Sequence, residues 1–136
     1  MTKRAILVIV STVLILLMSA CATGNVWEDA IYERDTELGE GAKTITVVVT
    51  ANDKSVTFTI HTDEDLLADA LLECDLIEGE DGPYGLYIKK VNGMTADYDV
   101  DSAYWALKQN GEYLMSGADF TPIFDGDRFE IVYEKN

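Results

Sequence analysis

Histidine, cysteine, proline and positive charge are all scarce in this chain. One histidine, His61, serves 136 residues. Any nucleophile activated by an imidazole would have to recruit that residue, and nothing beside it in sequence marks a nucleophile. His61 falls on the strand parity opposite Phe58 and Ile60, where a solvated strand end is the simpler account. The two cysteines, Cys21 and Cys74, exclude a multi-bridge disulfide framework, and with a single histidine they give zinc too few soft ligands. No glycine loop ending in lysine is present to cradle a phosphate. Ten Lys and Arg stand against 25 Asp and Glu, and the resulting formal charge of −15 repels nucleic acid and anionic lipid headgroups. These scarcities argue against an enzyme and against a nucleic-acid binder. An acidic surface of this kind favours cationic partners or divalent ions.

Lys3 and Arg4 precede an apolar stretch, Ala5–Val10 and Val13–Met18, interrupted by Ser11-Thr12 and followed by Ser19-Ala20. A charged start, an apolar centre and small residues at its end make an export signal. The stretch is a little short for a transmembrane helix, which needs about 20 residues. Leu17-Met18-Ser19-Ala20-Cys21 resembles a lipobox, although Met18 stands where that pattern prefers leucine. The resemblance implies a signal peptide over 1–20, cleavage before Cys21, and a diacylglycerol on the Cys21 thiol. The protein is then held by its lipid on the outer, extracytoplasmic face of a cell membrane. Cleavage leaves 116 residues, enough for one modest core, with eight basic residues against 25 acidic ones. Acylation of Cys21 would leave Cys74 without a partner. Positions 67, 70, 71 and 74 share one helical face, so Cys74 is expected as a small buried hydrophobe.

Residues 21–42 are rich in Asp, Glu and Gly and read as the lipidated cysteine followed by a mobile acidic tether, with a short helix around Trp27–Tyr32 as an option. The folded domain is expected over 43–136. Ile45, Val47 and Val49, then Val56, Phe58 and Ile60, alternate as two arms of a hairpin around Ala51-Asn52-Asp53-Lys54. A helix is predicted over about Asp65–Leu76, with Glu78-Gly79-Glu80-Asp81-Gly82-Pro83 as a breaker. Strands follow at Leu86–Val91, Ala103–Gln109 and Glu112–Met115, the last two joined at Asn110-Gly111, and a final strand carries Phe129, Ile131 and Tyr133. Hairpin, one helix, then further strands predict an α+β, β-grasp-like mixed sheet of four to six strands, its first and last strands adjacent at the centre.

Several stretches of the second half form an ordered set: Tyr87-Ile88-Lys89-Lys90-Val91-Asn92-Gly93, Tyr104-Trp105, Asn110-Gly111-Glu112, Gly117, Asp125-Gly126-Asp127 and Phe129-Glu130-Ile131-Val132-Tyr133. This set resembles the DUF4430 domain, which is similar to the C-terminal β-domain of transcobalamin and intrinsic factor. The resemblance spans roughly Thr44–Tyr133. It implies a β-grasp-like fold, often found at the surface of Gram-positive bacteria. It also implies cobalamin or another corrinoid as a ligand, with no resident cofactor. The vitamin carriers hold cobalamin against a separate helical domain, for which this chain has no room.

Two candidate sites remain. Asp97, Asp99 and Asp101 place carboxylates two apart, as some calcium loops do. The EF-hand template then fails, because Ser102 and Lys108 occupy its glycine and glutamate positions, and an acidic solvated loop explains the run as well. Tyr84, Tyr87, Tyr98, Tyr104 and Tyr113 form the candidate ligand surface, with Tyr104 taken as outward and Trp105 and Leu107 as inward, the reverse parity being the alternative. The expectation is a lipid-anchored extracellular module that binds a small ligand. The alternative is a structural or protein-interaction domain of the cell envelope.

Overall fold

A computed structural model describes residues 25–136. The expected signal peptide and Cys21 lie outside the described residues. Among the described residues no helix is long and apolar enough to cross a membrane.

Residues 25–42 are not a free tether; they are built into the fold. Asn25 caps a short 3₁₀ turn, Val26–Asp29, by accepting the Trp27 N–H. That turn drives Trp27 into the core, where its indole N–H donates to the Ala51 carbonyl at 2.9 Å. Tyr32 meets Phe58 edge to face, with ring centroids 5.8 Å apart. Strand β1 (Thr36–Gly39) then runs parallel to β3. The charged residues of this stretch point outward, so its composition looks disordered while its few apolar residues are enough to dock it.

Strands β2 (Lys43–Ala51) and β3 (Lys54–Thr62) pair antiparallel from Lys43↔Thr62 to Ala51↔Lys54. Their alternation sorts Ile45, Val47, Val49, Val56, Phe58 and Ile60 onto one buried face. Helix α1 (Leu67–Glu73) covers that face with Leu67, Ala68, Ala70 and Leu71. Burying each large side chain contributes about 1.5–3 kcal/mol. The helix is shorter than the predicted span. Asp65 is drawn away to Lys43, Leu66 is extended and bridges to Pro122, and Asp75 at φ +57 ends the element. Cys74 sits half-buried at its end, its thiol 3.6 Å from the Leu71 carbonyl and pushed up in pKa by burial.

The acidic stretch after the helix is itself a strand, β4 (Ile77–Gly82), and not simply a breaker. It pairs antiparallel with β5 (Gly85–Val91), and Lys89 and Lys90 on β5 reach Glu80 and Glu78 across the pair. Exposed acids along such an edge discourage pairing with another chain. Strand β6 (Met94–Thr95) completes a three-stranded sheet beyond the Asn92-Gly93 turn.

Helical turn α2 (Tyr98–Asp101) leads into β7 (Ala103–Gln109), the Asn110-Gly111 turn and β8 (Glu112–Tyr113). A 3₁₀ turn, Ala118–Phe120, precedes β9 (Arg128–Lys135). The large sheet runs β1-β3-β2-β9-β7-β8, and β2 and β9 are its parallel central neighbours. The architecture is therefore mixed α+β with a β-grasp-like centre. The face opposite α1, carrying Thr46, Thr57, Thr59, Glu130 and Tyr104, is only half-buried.

Candidate ligand-binding cleft

A cavity of about 570 Å³ opens between β5, the chain after β6, α2 and β7. Tyr87 and Lys89 reach it from β5, two residues apart and so on one side of the strand. Thr95 at the end of β6 and Ala96 and Asp97 just after it also line the cavity, Tyr98 and Asp99 enter from α2, and Tyr104 enters from β7.

Local chemistry sets these positions. Asp97 caps α2, its Oδ1 accepting from the Asp99 N–H at 3.0 Å and the Val100 N–H at 3.3 Å. Ser102, at φ +54, ends the turn and returns the chain to β7. The Asn136 amide donates to the Tyr98 hydroxyl oxygen at 3.1 Å, while its backbone N–H donates to the Ser102 carbonyl. Tyr104 and Glu134 are opposite partners in the β7–β9 ladder. The Tyr104 hydroxyl donates to Glu134 Oε2 at 2.9 Å, and the Tyr113 hydroxyl donates to Oε1 at 2.7 Å. The hydrogen bond to Glu134, followed by partial burial, raises the Tyr104 phenol above its usual range. Lys89 is likewise raised, first by its hydrogen bond to Glu80.

Of the five predicted tyrosines, Tyr87, Tyr98 and Tyr104 meet in the cleft. Tyr113 stands outside it, joined to Tyr104 only through Glu134. Tyr84 is 91% exposed at the tip of the β4–β5 hairpin and takes no part. Lys89, Thr95, Asn136 and Glu134 were not singled out from sequence. Lys89 shares the parity of Tyr87, which is a usable signal; Glu134 becomes relevant only through its cross-strand partner.

Asp97 and Asp99 line the cleft, but the calcium arrangement over Asp97, Asp99 and Asp101 does not form. The run is a helical turn, whose successive residues diverge, and Asp97 spends one oxygen on capping. Among the described residues no three His, Cys, Asp or Glu side chains gather as a metal site needs. His61 lies on the open sheet face, its Nδ1 3.0 Å from Thr44 Oγ1 and its Nε2 paired with Glu37. This hydroxyl–imidazole–carboxylate row is not visible in sequence. The Thr44 N–H is already bonded to Asp125 at 2.7 Å and is not free to stabilise an oxyanion.

The fold and the cavity define a small α+β domain with a ligand-sized cleft on its flank. The chain belongs to the DUF4430 family, described as a domain of unknown function, whose model matches residues 64–135. A solved structure of a Ruminococcus gnavus ATCC 29149 protein, given a suggested metal-binding role, is 38% identical with a TM-score of 0.66, over 70% of this chain and 99% of that one. Haptocorrin in complex with Cbi is 22% identical with a TM-score of 0.55, over 68% of this chain. That likeness concerns the fold alone, and the present chain spans 25% of haptocorrin's length. No curated protein matches the chain in sequence.

Proposed function

We propose that this protein is a lipid-anchored, extracytoplasmic module that binds a small ligand in the tyrosine-lined cleft and catalyses no reaction. The cleft carries the reading: its volume of about 570 Å³ is that of a small-molecule site, and it combines aromatic walls with a few polar groups. The haptocorrin-like fold makes a corrinoid the first ligand to test. The lipobox-like end at Cys21 supports attachment to the outer face of the cell membrane, with the acidic domain held off an anionic surface.

The full chain, purified in a non-ionic detergent, is titrated with cobalamin and cobinamide by calorimetry and thermal unfolding. Ligand at about 100 times Kd stabilises by about 2.7 kcal/mol through mass action. Replacing Tyr87 or Tyr104 with alanine is expected to weaken binding about tenfold, since an aromatic contact of this kind is worth about 0.5–1.5 kcal/mol beyond its buried area. No response at high micromolar ligand removes the corrinoid, and binding indifferent to both tyrosines removes the cleft. Radioactive palmitate should label the wild type and not Cys21→Ala; equal labelling overturns the anchor.

A second reading, docking to an envelope protein, is favoured by the exposure of Tyr84, Met115, Phe120 and Phe124. Photo-crosslinking from position 120 in intact envelopes would capture such a partner.

A further inference from the structure

We infer that the cleft takes an organic cation, its positive group held between the tyrosine rings and the carboxylates of Asp97 and Asp99. This rests on the reading of the cleft as a ligand site and names the chemistry that site selects. The charged side chains lining it are Lys89, Asp97 and Asp99. Lys89 is already committed, its ammonium bonded to Glu80 at 2.9 Å, and it feels Asp97 only as a more distant charge. Among the described residues no Lys or Arg forms an ion pair with Asp97 or Asp99. The uncompensated charge of the cavity is therefore negative.

Hydrogen bonding points the same way. The Tyr104 proton is spent on Glu134, so lone pairs are what its oxygen still offers a ligand. Asp97 keeps one oxygen and Asp99 both. To these acceptors the rings of Tyr87, Tyr98 and Tyr104 add faces that attract a cation. An anion would meet two carboxylates. A divalent metal ion is best held by three or more converging side-chain ligands, and among the described residues no three His, Cys, Asp or Glu side chains gather in that way. An organic cation, quaternary ammonium or guanidinium, is content with aromatic faces and a carboxylate. The chain's net charge of −15 would also raise the local concentration of such a ligand.

The test titrates the full chain in non-ionic detergent with choline, methylguanidinium and 3,3-dimethylbutanol, the neutral isostere of choline. The cations are expected to bind about tenfold more tightly than the isostere, from cation–π and carboxylate contacts together. Asp97→Asn, which keeps a capping side chain, combined with Asp99→Asn, should remove that preference. Asp53→Asn, in the β2–β3 turn, should leave it intact. Equal binding of choline and its isostere, or a preference surviving the double replacement, overturns the inference. If either corrinoid binds and responds to Tyr104→Ala while the cations show no preference, the cleft stands and only its cation selectivity falls. If no probe binds, both fall.

Discussion

Asn92 clamps the N-terminal segment to the rest of the fold, and replacing it gives the sharpest test of whether that segment is structural. The residue is fully buried at φ +52, inside the turn between β5 and β6. Its side-chain amide donates to the Tyr32 carbonyl at 2.8 Å and accepts the Tyr32 N–H at 2.9 Å. Its backbone carbonyl accepts the Ile31 N–H at 2.9 Å, and its N–H donates to Leu76. Asn92→Ala deletes the two side-chain bonds, worth about 1 kcal/mol each, and leaves a Cβ-bearing residue in the left-handed region without asparagine's compensation, about 1 kcal/mol more. The expected loss is about 3 kcal/mol. Asn92→Gly keeps the turn unstrained and should cost about 2 kcal/mol by the same count. For a domain of this size a 3 kcal/mol loss lowers Tm by about 10 °C. Urea unfolding of the full chain in non-ionic detergent, fitted with unchanged slope, measures both values. A loss under about 1 kcal/mol for Asn92→Ala, set against the two bonds it removes, would mean that residues 25–39 detach freely and that the acidic tether is the better description.

Two turns of the same type provide an internal comparison. Gly93 and Gly111 both have φ +78 after an asparagine, yet a Cβ at Gly111 meets nothing within 4 Å, while one at Gly93 runs into the Asp29 carbonyl and lies 2.9 Å from Ile31 Cγ1. Gly111→Ala should cost about 1 kcal/mol in backbone strain and Gly93→Ala about 1–3 kcal/mol more, read from urea midpoints; equal costs would remove the packing against residues 29–31. Acid sensitivity should track Asp65. The Lys43 ammonium, hydrogen-bonded at 2.8 Å, holds that carboxyl below the usual range, so its contribution is present above the unfolded pKa and is lost as pH falls through the folded one. With Asp65 94% exposed the effect is small and salt-screened. Tm curves of the parent and Asp65→Asn should separate above about pH 4 and converge in stronger acid; a constant gap at all pH values contradicts the pairing. Glu64 acts in the opposite sense, raised first by its hydrogen bond with Glu73 and in smaller part by the Asp65 charge, so Asp65→Asn also relieves a little of that shift.

Periodicity made much of the fold legible. Ile45, Val47 and Val49 opposite Val56, Phe58 and Ile60 could form only one hairpin without exposing a core face, and Asn110-Gly111 could turn only one way between β7 and β8. The segment from 25 to 42 was misread because composition averages over residues, whereas docking depends on three or four of them. Trp27, Tyr32 and Leu38 find their partners more than 20 positions away. Strand β4 (Ile77–Gly82) is hidden for a related reason: its pairing is supplied by Lys89, Lys90 and the β5 backbone, and no propensity of its own announces it.

The candidate site divides the same way. Tyrosines grouped near the 94–102 loop mark a region, and strand parity sets Tyr104 apart from Trp105. Which tyrosines meet is decided by the register of β7 on β9, which aligns Tyr104 with Glu134, and by the Asp97 cap, which turns Tyr98 and Asp99 into the cavity. Sequence by itself determined the alternation of strands, the turns, the acidic charge and the lipobox-like pattern ending at Cys21, because these are encoded by neighbours along the chain. Tertiary structure alone decided that Asn92 holds residue 32, that Tyr84 stays outside, and that the acids at 97 and 99 line a cleft while Asp101 does not. Those outcomes depend on contacts between distant residues, and spacing in the chain does not encode them.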